Sequence, residues 1–131
     1  MKHSPWILAP SLVVLLEQVN AAHPKRSRAW DGSIGDAAHA DRKSDHNENK
    51  RGIVCAIDIT HDPIYFDGSK FAEALRLARD PRVKYVIWNT RIFSSLVEPW
   101  KWRPYKYAKE MPHDHHVHVS VIDDEGPWVI S

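Results

Sequence analysis

The stretch Asp114-His115-His116-Val117-His118-Val119-Ser120, continued by Val121-Ile122, decides how this chain is read. It alternates polar and apolar residues with a period of two, the pattern of a β-strand that buries one face. Side chains two apart in a strand point the same way, ~7 Å apart. His116 and His118 therefore project together, while Val117, Val119 and Val121 face a core on the other side. Three imidazoles and a carboxylate crowded into positions 114–118 are the raw material of a metal or acid/base site built on a sheet.

Working outward, residues 53–60 read as a second apolar strand. Val54, Ala56 and Asp58 share one face, and Cys55, Ile57 and Ile59 the other. Asp58 is the one charged side chain within it. Asp is disfavoured in mid-strand, and a buried charge must be paired or coordinated. The plainer reading is an Asp at a strand end that accepts hydrogen bonds from a turn. Further strands are expected over 83–89, 92–97 and 127–130. The prolines and aromatics of 98–105 read as a loop or groove wall.

A first helix is expected over 11–22, with Ser11 as N-cap after Pro10. Leu12, Leu15, Leu16 and Val19 follow helical spacing, and the helix stops before Pro24. Lys2, the apolar run and Val19-Asn20-Ala21 also have the composition of a signal peptide. The helix is preferred because Pro10 breaks the run, which is too short to span a bilayer. A second helix is expected over 70–79, opened by Asp67-Gly68-Ser69 and stopped by Asp80-Pro81. Phe71, Ala74, Leu75 and Ala78 would form its buried stripe. Between lies a long polar loop, residues 23–51, with a helical turn at 37–40. Loops of that length are usually functional or disordered.

These elements predict one α+β domain spanning 1–131. A small, mostly antiparallel sheet carries two or three helices on one side and a metal on the other. The chain's 131 residues, 43% hydrophobic content and six tryptophans suffice for one core. With 18 basic and 17 acidic residues the net charge is +1, which argues against a nucleic-acid partner. The single Cys55 cannot form an intrachain disulfide and reads as a buried small hydrophobe.

His46, Asp58 and His118 together match a catalytic zinc site that keeps its fourth position for water. Zinc lowers the pKa of that water to ~7. His116 shares the face of His118 and is the expected base; His115 and Asp114 are the alternatives. Arg26 or Arg28 would bind a substrate carboxylate or a developing oxyanion. Trp100, Trp102 and Tyr105 would line a substrate groove, against the plainer reading of ordinary packing. Taken singly, His46 is a solvated loop residue and His-x-His a common, weak pattern. Loop His, in-strand Asp and His-x-His strand in one small domain make zinc the preferred reading.

At these residues the chain resembles the peptidoglycan-cleaving zinc peptidases that include D-alanyl-D-alanine carboxypeptidases, phage L-alanyl-D-glutamate endolysins and the hedgehog-like fold. Ser44-Asp45-His46 matches their Ser-x-His, and 52–58 (Gly-Ile-Val-Cys-Ala-Ile-Asp) loosely matches their Gly-x-Ala-x-Asp. His116-Val117-His118 matches their final ligand segment. The resemblance implies that His46, Asp58 and His118 hold one Zn²⁺, that His116 is the base and that Arg26 faces substrate. It implies a monomeric, phage-encoded enzyme, made in a host cytoplasm and acting on the stem peptide of the cell wall. The departures are eleven residues between His46 and Asp58, where the family usually has six, and His115 where many relatives carry Glu or Asp. Two other classes compete: a zinc-stabilised, non-catalytic binding module of the same fold, and a His-rich metal-dependent nuclease, which the near-neutral charge disfavours.

Overall fold

The computed structural model describes residues 6–33, 45–109 and 113–123. In chain order these contain β1 (Ile7–Leu8), α1 (Pro10–Ala22), β2 (Ile53–Val54), β3 (Ala56–Thr60), α2 (Gly68–Ala78), β4 (Val83–Trp88), β5 (Arg91–Ser94), β6 (Arg103–Pro104) and β7 (His116–Val121). The last of these, read first in the sequence, sits inside a five-stranded sheet of order β3-β7-β4-β5-β6. Every pairing in that sheet is antiparallel. Ser44, the turn expected at 37–40 and the strand expected at 127–130 lie outside the described residues.

Alternation assigns the two faces of the sheet. Ile57, Ile59, Val86, Trp88, Phe93, Val117, Val119 and Val121 join the core cluster, with Leu12, Leu15 and Val19 of α1 and Ala72 and Leu75 of α2. Burial of this set drives the fold, at ~25 cal/mol per Å² of apolar surface removed from water. No helix among the described residues is long and apolar enough to cross a membrane.

Three expectations change in detail. The segment 53–60 is two strands, not one. Cys55 interrupts it, and Ile53 and Val54 pair in parallel with Ile7 and Leu8. The first helix begins at Pro10, with Ala9 at the N-cap position and no side-chain cap. Pro10 suits the first helical position because its nitrogen needs no partner, and Ser11, one residue further in, is fully buried. In α2 the buried face is Gly68, Ala72 and Leu75, while Ala74 and Ala78 are exposed. Asp67, whose side chain accepts from the backbone N–H of Ser69 and Lys70, starts the helix two residues earlier than expected. Gly68 then lies directly on the sheet, where a Cβ would stand 3.0 Å from Val117 and 3.2 Å from Trp88.

Candidate metal centre

The sheet's other face carries the polar side chains. Asp58 on β3 is paired in register with His118 on β7, and Thr60 with His116. The turn at 45–47 brings His46 over them. His46 Nε2 lies 3.1 Å from His118 Nδ1 and 3.3 Å from Asp58 Oδ1. His118 Nδ1 lies 3.2 Å from that same oxygen. Ligand atoms ~2.0–2.1 Å from a tetrahedral zinc stand ~3.3 Å apart. These three atoms thus match one face of such a tetrahedron, and the group could hold a metal ion.

The outer nitrogens are held as metal-bound histidines usually are. His46 Nδ1 lies 2.6 Å from the Ser33 carbonyl oxygen, which can only accept, so that nitrogen carries the hydrogen. The lone pair on Nε2 then points inward. His118 Nε2 lies 2.8 Å from Ser120 Oγ. Tyr85 stacks on the His118 ring, 5.4 Å between centroids and 12° between planes. Its hydroxyl interacts with both Ser120 and Asp45, and Asp45 is ion-paired with Lys84 at 3.1 Å. A carboxylate paired with an ammonium accepts, so Tyr85 donates to it, Ser120 donates to Tyr85, and His118 Nε2–H donates to Ser120. His118 Nδ1 is left with a lone pair facing the other two atoms.

Three lone pairs at this separation need a positive charge between them, either a cation or a proton on an imidazole. The electrostatic surroundings agree. Burial pushes the Asp58 carboxyl up, but the hydrogen bonds and charges of His118 and His46 outweigh it and hold it far below the usual carboxylate range. Burial likewise disfavours charge on His46, yet Asp58 outweighs it and raises the imidazole.

His116 stands beside the group. Its Nε2 is 3.6 Å from Asp58 Oδ2, and its Nδ1 is buried without a hydrogen-bond partner. Burial, only partly offset by Asp58, lowers its pKa, which favours the neutral ring that can take a proton. His115 is one residue out of phase, exposed, and stacked on Trp30 at 5.0 Å and 17°.

Of the other expected site residues, Tyr105 borders the group through His113, and the rest are engaged elsewhere or exposed. Arg26 is buried, and Asn20, Asp31 and the Ser27 carbonyl occupy its guanidinium. Arg28 is exposed. Trp100 and Trp102 pack on Phe93, across the sheet from the histidines. Tyr105 packs against His113, whose ring is edge-on to His116 and His118. His113, Tyr85 and Ser120 are site residues the linear reading passed over. Ser120 was readable, being two residues beyond His118; the other two reach the site only through strand register and loop closure. No family profile, no curated protein and no solved structure matches this chain.

Proposed function

We propose that the protein is a zinc-dependent hydrolase of a peptide bond in bacterial cell-wall peptidoglycan, in the fold of the D-alanyl-D-alanine peptidases and hedgehog-like proteins. The observation that carries the zinc reading is the triangle of His46, Asp58 and His118, with 3.1–3.3 Å edges. Two imidazole nitrogens and one carboxylate oxygen are the donor set of catalytic zinc sites with an open position. Zinc held there would supply a Lewis acid and a water acidic enough to ionise near neutral pH. The chain's own residues do the rest. Ser33 and Ser120 orient the two ligand imidazoles. Neutral His116, beside Asp58, takes and returns the proton. The peptidoglycan substrate rests on the likeness of the Asp45-His46 and His116-Val117-His118 segments to the cell-wall peptidases.

One observation favours the second reading, a zinc-stabilised binding module: Arg26, the residue expected to face substrate, is locked into an internal ion pair. Metal analysis paired with mass spectrometry of digested wall separates the two. The hydrolase requires one zinc per chain and new free termini in the muropeptides. It also requires that His116→Ala keep the zinc and abolish cleavage. Zinc without cleavage over a panel of walls supports the module, and a chain that binds no zinc overturns both.

A further inference from the structure

The row of residues crossing the sheet through the metal centre continues beyond His118. Register pairs Asp58 with His118, His118 with Ile87, Ile87 with Ile92, and Ile92 with Arg103. Residues paired across neighbouring strands share a face. Arg103, on edge strand β6, therefore stands on the face of the three candidate ligands, separated from them by two isoleucines. Ile87 is buried yet lies outside the core cluster on the opposite face, and Ile92 is half-buried. Together they keep the strip between Arg103 and the ligands apolar. Strands ~4.8 Å apart put the backbone of Arg103 about 14 Å from that of His118. An extended arginine side chain covers close to half of that span.

Arg103 is also electrostatically incomplete. It is half-buried, and its Nε is shielded from solvent without a hydrogen-bond partner. Among the described residues no carboxylate pairs with it. Four arginines are ion-paired, Arg26 with Asp31, Arg51 with Asp123, Arg76 with Glu73 and Arg82 with Asp80. Arg28, Arg79 and Arg91 are exposed to solvent, so a shielded guanidinium nitrogen without a partner sets Arg103 apart from both sets. A shielded, unpaired donor on a charged group is costly, and a guanidinium offers a fixed fork that suits an oxyanion.

We propose that Arg103 is the anion-binding residue of this site, and that the substrate carries a carboxylate or phosphate group held there while its reacting bond reaches toward the metal. This rests on the metal-centre reading above and assigns to Arg103 the role that Arg26, being internally paired, does not fill.

The test uses the full chain loaded with cobalt(II), in which a bound thiolate gives a charge-transfer absorption. The probes are ω-mercapto carboxylates, ω-mercapto phosphonates and ω-mercapto alcohols of graded length. The thiolate occupies the metal, and the far end reports on Arg103. At one chain length an acid should bind at least about tenfold more tightly than the matching alcohol, as a charge-assisted fork implies. Arg103→Gln should bring the two within about twofold and leave alcohol binding unchanged, which shows the centre intact; Arg103→Lys should keep part of the preference. Whether carboxylates or phosphonates gain more identifies the oxyanion. Equal binding of acids and alcohols by the parent chain, or an acid preference that survives Arg103→Gln, overturns the role of Arg103 alone. A chain that fails to bind cobalt overturns the metal centre, and this inference with it.

Discussion

Tautomers are set by what the second nitrogen of each imidazole touches, and here both outer contacts point the same way. His46 gives its Nδ1 hydrogen to the Ser33 carbonyl, and His118 gives its Nε2 hydrogen to Ser120. The second contact is directed from further out, through Tyr85, to the Asp45–Lys84 pair. Asp45 thus serves the site through Tyr85 and Ser120, although it precedes a candidate ligand in sequence. Tyr85→Phe keeps the ring stack on His118 and removes the hydroxyl that orders Ser120. Loss of such a partner typically costs 10–100-fold in metal affinity. Zinc affinity of the variant, measured by competition with a chelator, should fall within about that range, while thermal stability of the metal-free chain changes little. Unaltered affinity would remove Tyr85 from the site.

At the level of elements, the loop after α1 is pinned by one buried cation. Arg26 joins Asn20 near the end of α1 to Asp31, and Asp31 in turn accepts from the backbone N–H and hydroxyl of Thr60 on β3. Burial pushes the Asp31 carboxyl up, but Arg26 and Thr60 outweigh it and lower it. This ties the loop to the strand that carries Asp58, one turn of alternation from Thr60. Removing one partner of a buried pair costs about 3–5 kcal/mol. Arg26→Ala should therefore lower the urea midpoint by a matching amount. A substrate-facing arginine would behave oppositely, with stability kept and substrate binding lost. Denaturation curves of the two proteins decide between these roles.

For the whole molecule, pH acts through partly buried carboxylates and imidazoles. Asp58 and Asp31 have lowered pKa values, so their contribution is present above the unfolded value of about 3.9 and is lost as pH falls below it. His46 has a raised pKa, so its contribution is full below about 6.5 and is lost as pH rises through the folded value. His116 opposes His46, because its lowered pKa costs stability as pH falls below about 6.5. The two imidazoles offset each other, so the metal-free chain should lose stability most clearly below about pH 4, where Asp58 and Asp31 take up protons. Zinc competes with protons for the same lone pairs. The rise in melting temperature on adding zinc should therefore widen as pH goes from about 5.5 to 7.5. Calorimetry of metal-free and zinc-loaded protein across that range checks both signs, and a zinc effect that shrinks with rising pH would contradict the site.

The strand period, a first helix ending at 22 and the placing of His116 and His118 on one face were determined by local sequence, because alternation and helical spacing are properties of consecutive residues. So was the oddity of Asp58, a charge inside an apolar strand; His46, by itself a solvated loop residue, was singled out only by its likeness to the Ser-x-His segment of the cell-wall peptidases. Tertiary structure decided the rest. Register set Asp58 opposite His118 and ran the same row on to Arg103. Packing turned Trp100 and Trp102 to the far face and withdrew Arg26 into an ion pair. Partners far apart along the chain meet only when the backbone has closed on itself. Pairing energy and register therefore belong to the assembled sheet, and no window of neighbouring residues contains them.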